Sequence, residues 1–149
     1  MGRNELLKRY EAYGFPQKAA FSQRLCIRIN PALITSKKLL ARFDEKGITY
    51  EKVPFLKHGY YVDASFPLSS MIEYLLGYFY IQEAPAQLIG DLIENHITSR
   101  EFGELSLLDC CAAPGGKTTH LSQVMRNKGN IAAVESDKQR ANKLCYNIE

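Results

Sequence analysis

The chain has 149 residues, 46% of them apolar and 23% charged, the profile of a folded protein of one ordinary domain or two small ones. No apolar run approaches the roughly 18 residues that span a bilayer, and Arg3, Lys8 and Arg9 stand among polar neighbours with no apolar core segment, which argues against a signal peptide and for a cytoplasmic protein without a membrane. The formal net charge of +3 is uneven: residues 1–60 hold twelve Lys and Arg against five Asp and Glu, residues 61–149 seven against eleven, so a basic front meets a polyanion more readily than the acidic rear.

In chain order, Asn4 can cap a helix to Tyr13, and Pro16 opens a second short helix to Phe21. Arg24 to Asn30 alternates polar or small residues with Leu25, Ile27 and Ile29 and reads as a strand that Pro31 ends. Thr35 or Ser36 caps a helix through Lys46 with a Leu39, Leu40, Phe43 stripe, and Gly47 stops it. Ile48–Val53 and Tyr60–Val62 are further strand candidates, giving a small α+β module. After Pro67, Ser69 or Ser70 can cap a helix carrying Met71, Ile72, Leu75 and Leu76. Gly77 breaks it, and Tyr78–Ile81 is a short aromatic run. Pro85 suits the first turn of a helix to Asn95, and a polar loop follows from Thr98 to Leu105. The rest reads as a βαβ unit: strand 105–109, helix from about 117 to 127, turn 127–130, strand 131–135, and a helix from about Asp137.

That unit carries the chemistry. Ala112-Ala113-Pro114-Gly115-Gly116 has almost no side-chain bulk, so a ligand can lie against its backbone while the next helix points N–H groups toward it. Asp109 ends its strand, where open α/β sheets place ligand-contacting groups. Its carboxylate either meets a ligand amine or fixes the loop by accepting backbone N–H bonds. Glu135 closes the next strand nineteen residues after Gly116 and matches the rule for an acid that accepts ribose hydroxyls. Gly116-Lys117-Thr118 repeats the end of a Walker A motif, but Cys111 stands where that motif needs glycine, which argues against a phosphate loop. Cys26, Cys110, Cys111 and Cys145 show no C-x-x-C spacing, and His58, His96 and His120 do not fall near them at ligand spacing, so no metal site is expected. Adjacent Cys110 and Cys111 fit a reduced, intracellular setting.

Asp109-Cys110-Cys111-Ala112-Ala113-Pro114-Gly115-Gly116-Lys117-Thr118 closely resembles motif I of the RsmB/Nop2/Sun family of RNA cytosine-5 methyltransferases. Gly77–Ala84 is similar to that family's segment before the methyltransferase core, Arg24–Asn30 with its following helix to the family's small RNA-binding module, and Ala133–Arg140 to the end of its second strand. The likeness covers most of residues 24–149 and is closest in flavour to the archaeal members. It implies an incomplete Rossmann-like class I methyltransferase core, α/β in class, preceded by a small α+β RNA-binding-like module, with the division at residues 1–67 and 68–149. It implies S-adenosylmethionine as cofactor, a cytosine in tRNA or rRNA as substrate, Cys111, Ala112, Ala113, Pro114, Gly115, Gly116 and Lys117 lining the methionine and ribose side, and Glu135 on the ribose hydroxyls. Arg140 matches a family position near that acid, though a role as a helix surface residue is as good a reading.

Two small departures are Pro85-Ala86, where the family has small residues ending in serine, and Glu135 in place of the commoner aspartate. The larger departure concerns catalysis. The family uses one cysteine in a T-C motif to attack C6 and another in a P-C motif to assist release; none of the four cysteines here has either context, so no catalytic residue is assigned. The chain is therefore expected to be the N-terminal part of an RNA methyltransferase, a partial gene product or half of a split enzyme, inactive alone, binding cofactor weakly, and completed by a C-terminal methyltransferase fragment. The rival expectation is a non-catalytic RNA-binding adaptor with a vestigial cofactor loop.

Overall fold

Four antiparallel strands with a helix packed on one face form the front of the chain, seen in a computed structural model that describes residues 24–96 and 104–148. The helices expected over 4–13 and 16–21, and most of the polar loop expected over 98–105, lie outside the described residues. The front sheet uses β1 (Cys26–Ile29), β2 (Thr49–Lys52), β3 (Gly59–Asp63) and β4 (Phe79–Ile81) in the order β2-β3-β1-β4. Its registers place Cys26 opposite Tyr61 and Ile27 opposite Ile81.

Helix α1 (Ser36–Glu45) starts as its sequence requires: the Thr35 side chain accepts a bond from the Lys38 N–H, and Gly47 takes φ +67° after the end. Leu39 and Phe43, four residues apart on one face, bury against Ile27, Ile29, Ile48, Val62 and Phe79. Phe43 meets Phe79 edge-on at 5.7 Å, and burial of a ring of this size contributes about 2–3 kcal/mol.

Three features differ from the sequence expectation. The alternation of Arg24–Asn30 implies one wet face, yet all four residues of β1 are buried. The reason is a second layer: Cys26 packs with Val53, Leu56 and Ala84, and Arg28 reaches into the rear of the chain. The helix expected after Ser69 or Ser70 is instead a 3-10 turn (Leu68–Ser70) followed by the single-turn helix α2 (Ile72–Leu75), with Ser70 Oγ donating to the Pro67 carbonyl. Met71 is buried while Ile72, Leu75 and Leu76 are exposed, so the stripe does not serve as a buried face. The aromatic run becomes β4, and it completes the front sheet from beyond Pro67, where the division had been expected.

Helix α3 (Ala84–His96) packs on β1 and on α4 (Gly116–Val124). The second sheet pairs β5 (Ser106–Asp109) in parallel with β6 (Asn130–Ala133), Leu108 opposite Ala132, and α5 (Lys138–Ile148) follows. Asp137 caps α5 by accepting from the Arg140 N–H at 2.9 Å. The outer face of this two-stranded sheet is uncovered among the described residues, with Leu108 64% exposed and Val134 51%.

The α3–α4 contact depends on a glycine. A Cβ on Gly90 would lie 2.2 Å from His120 Nδ1, and the ring has no room to retreat because His120 is 1% exposed. Gly90→Ala is expected to destabilise the fold by about 1–3 kcal/mol, despite alanine's better helix propensity. Thermal unfolding checks this; an unchanged or raised midpoint would show that the two helices are not held this close.

Candidate cofactor site

β5 ends at Asp109, which is buried and committed to the loop. Its Oδ2 accepts from Thr118 Oγ1 at 2.7 Å and its Oδ1 from the Cys111 N–H at 3.3 Å. Beyond the strand ends the pairing continues: the Val134 N–H donates to the Asp109 carbonyl and the Ala112 N–H to the Val134 carbonyl. Of the two roles open to Asp109, the structure shows the loop anchor.

From there the chain turns through Ala112 and Ala113, both buried, a cis Ala113–Pro114 bond, and Gly115, whose φ of +113° only glycine adopts without strain. Gly115 precedes the first residue of α4. The loop is open over only part of its length. Cys111 and Pro114 are exposed, Gly116 and Lys117 half-buried, and Ala112, Ala113 and Gly115 are covered. Ala112 and Ala113 pack against Leu144 of α5, and a Cβ on Gly115 would meet Asn147 and Leu144, one on Gly116 Gln82 and Tyr80, all at 3.3–3.4 Å. The small residues thus admit protein as well as leaving backbone bare: the expected access of a ligand to the loop backbone is limited to the part that Leu144 and Asn147 do not cover.

The loop's carbonyls are held from four directions. Arg140 Nη2 donates to Ala113 O at 2.8 Å, Asn147 Nδ2 to Pro114 O at 2.7 Å, Thr119 Oγ1 to Gly115 O at 2.8 Å, and Arg28 Nη1 to Gly116 O at 2.8 Å. Tyr80 Oη stands 3.5 Å from Pro114 O and takes a bond from Asn147. Sequence reading missed Arg28, Tyr80 and Asn147. They come from 33 to 88 residues away along the chain, beyond the reach of any local motif. The one visible signal is a charged Arg28 between Ile27 and Ile29 in an apolar strand.

Glu135 stands at the same place. Its Oε1 accepts from the Asp137 N–H at 3.0 Å, and its Oε2 lies 3.5 Å from Arg140 Nη1. Arg140, exposed on α5, therefore ties the acid to the Ala113 carbonyl. The Asp137 N–H, and then the Arg140 charge, outweigh desolvation and hold the Glu135 carboxyl below the usual range, so it is ionised at neutral pH. Its side chain is 5% exposed, and its Oε2 is buried without a hydrogen-bond donor. That oxygen accepts no hydrogen bond among the described residues, and its charged neighbour is Arg140 Nη1. Lys117 makes no hydrogen bond or ion pair among the described residues. Cys110, Cys111 and Cys145 are exposed free thiols, and Cys26 is buried, its thiol pushed up by burial.

The chain's beginning and its end match two models from one group of enzymes. Residues 3–84 match the N-terminal domain of 16S rRNA methyltransferase RsmF, and residues 99–149 match 16S rRNA methyltransferase RsmB/F. The chain belongs to the RsmB/Nop2/Sun family. Among curated RsmB/Nop2/Sun relatives, ribosomal RNA small subunit methyltransferase F of Shewanella halifaxensis is 33% identical over 84% of this chain, and that of Shewanella loihica 35% over 85%. The chain spans only 28% and 26% of their lengths. A methyltransferase homologue from Pyrococcus horikoshii superposes with a TM-score of 0.74 at 27% identity, over 99% of this chain and 53% of its own. The structure of NSun6 from the same organism with SFG superposes at 0.65 and 20% identity, over 85% of this chain and 54% of its own, a likeness of fold. The fold is a partial Rossmann-like methyltransferase fold with the family's front module. The curated relatives come from Shewanella and Vibrio and two of the similar structures from Pyrococcus horikoshii, so they do not assign the chain to the archaeal members. Among the described residues no helix is long and apolar enough to cross a membrane, and no cluster of metal-ligating side chains occurs.

Proposed function

We propose that this chain supplies the cofactor-binding part of an S-adenosylmethionine-dependent methyltransferase acting on cytosine C5 in ribosomal or transfer RNA. The observation that carries the reading is the buried Glu135 Oε2, which accepts no hydrogen bond and has the Arg140 charge 3.5 Å away, beside the Ala113 end of the loop. The residues fit the group: Cys111 to Lys117 offer backbone to the methionine and ribose, Glu135 would accept from the ribose hydroxyls, and Arg140 would keep acid and loop in register. The bound cofactor would supply an electrophilic methyl group; the chain's own residues hold and orient it. The front sheet with α1 would meet RNA through exposed Lys37, Lys38 and Lys46, a contact that weakens steeply with salt. No cysteine here is assigned as nucleophile. Attack on the base would fall to a complementing methyltransferase segment, and the chain alone would be inactive. A cytoplasmic location accompanies this reading.

Calorimetric titration with sinefungin, a stable analogue of S-adenosylmethionine, tests it. The chain is expected to bind at an affinity weaker than micromolar. Glu135→Ala is expected to lose about 10- to 100-fold, the worth of one or two hydrogen bonds to a charged acceptor. RNA binding with no sinefungin binding at millimolar concentration would replace this reading with that of an adaptor.

A further inference from the structure

Arg28 is the most deeply buried cation described, 3% exposed, and it belongs to the front sheet while three of its four hydrogen-bond partners lie in the rear of the chain. Its Nε donates to Gln123 Oε1 at 3.2 Å, Nη1 to Gln82 Oε1 at 2.5 Å and Gly116 O at 2.8 Å, and Nη2 to Thr119 Oγ1 at 2.9 Å. Its guanidinium carbon lies 5.4 Å from the centre of the Tyr80 ring. Every hydrogen-bond partner is neutral. Burial lowers its pKa to about 10, still far above neutrality, so the group is charged.

Packing alone does not explain this residue. A buried charge with neutral partners is costly, and an apolar side chain of equal volume would serve a merely structural strand better. Helix-dipole compensation does not explain it either, because a cation beside the N-terminal turn of α4 opposes the dipole. Nor is the charge available to RNA, since the guanidinium is enclosed. What the arrangement provides is geometry. A rigid planar fork reaches from β1 and fixes the Gly116 carbonyl, a hydroxyl in the first turn of α4 and an amide one turn further on.

We propose that Arg28 is a positioning residue for the cofactor loop, making the shape of residues 111–117 conditional on the seating of the front sheet against α4. This rests on the reading of that loop as the S-adenosylmethionine site. Through Arg28, an event at β1 or β4, such as RNA engaging the front module, shifts the Gly116 end of the loop, while Arg140 holds the Ala113 end from α5.

The test combines amide hydrogen exchange of the free chain with sinefungin titration, for the wild type, Arg28→Lys and Gln123→Met. Lysine keeps the charge but not the fork, and Gln123→Met removes the Nε partner without touching the loop. Exchange at residues 115–119 is expected to quicken roughly tenfold in Arg28→Lys and less in Gln123→Met, the scale of one lost charge-assisted bond. Amides of α1, β2 and β3 should keep their protection, and sinefungin affinity should fall by a similar factor. Should Arg28→Lys unfold, which raises exchange everywhere, Gln123→Met decides. Unchanged loop exchange in a folded variant would overturn the proposal. Wild-type chain that fails to bind sinefungin would overturn the cofactor reading, while the exchange data would still judge the positioning role.

Discussion

Acidification from pH 7 to 4 is expected to remove about 3 kcal/mol of folding stability through His120 alone. His120 is 1% exposed, and its ring nitrogens have no hydrogen-bond partner. Burial first, and then the Arg28 and His58 charges, push its pKa down to about 3 from an ordinary 6.5. Asp91 Oδ1 stands 3.4 Å from Nε2 and would favour the imidazolium, but desolvation outweighs it; the other Asp91 oxygen is engaged by the Lys57 N–H at 2.7 Å. The sign follows from proton counts. Between pH 6.5 and 3 the unfolded chain holds a proton on this histidine and the folded chain does not, so falling pH favours unfolding by up to about 1.4 kcal/mol per unit. Carboxylates contribute acid sensitivity of their own, so the informative quantity is a difference. His120→Leu should lose about 3 kcal/mol less than the wild type between pH 7 and 4, measured by urea unfolding at each pH. Equal losses would mean that a His120–Asp91 ion pair forms on protonation.

The location of His120 shows where sequence reading stops. The βαβ unit was legible because each part is local: the apolar runs of β5 and β6, the bulk-free loop, the acid two residues beyond β6. So was α1, with Thr35 before it and Gly47 after. The second layer over β1 was not legible. A strand of alternating pattern predicts one solvated face, and nothing near Cys26 or Arg28 announces that α3 and α4 cover the other. The charge count of residues 1–60 included Arg28, although its charge is enclosed. Nor does the sequence around Gly90 announce its close approach to His120, thirty positions away. Ile72, Leu75 and Leu76 misled in the opposite direction, since helical spacing alone does not bury a stripe when the helix is one turn long. Local chemistry thus located the loop and its acid, and long-range packing decided how firmly they are held.

Asp109→Ala is expected to lower the stability of the free chain by about 3 kcal/mol, and with it cofactor affinity. The anchor role assigns this effect to two bonds made whether or not a ligand is present: the Thr118 hydroxyl at 2.7 Å and the Cys111 N–H at 3.3 Å. Alanine would leave a buried hydroxyl and a loop amide without their acceptor, at about 1–3 kcal/mol for each such group. For a chain of this length that corresponds to a fall in the thermal midpoint of roughly 6–12 °C. Asp109→Asn keeps one carbonyl oxygen and the side chain's shape, so it should recover about half of the loss, with Thr118 or the Cys111 N–H served but not both. The measurement is thermal unfolding without ligand, followed by sinefungin titration below the midpoint. A ligand-contact role gives the opposite pattern, an unchanged midpoint with weakened binding, because the carboxylate would then have nothing to hold in the free chain. The wild-type geometry favours the first outcome: both oxygens already have donors within the loop and its helix, whereas Glu135, just beyond β6, keeps one oxygen that accepts no hydrogen bond. Asp109 thus fixes the loop backbone in the free chain, through bonds that no ligand is needed to form.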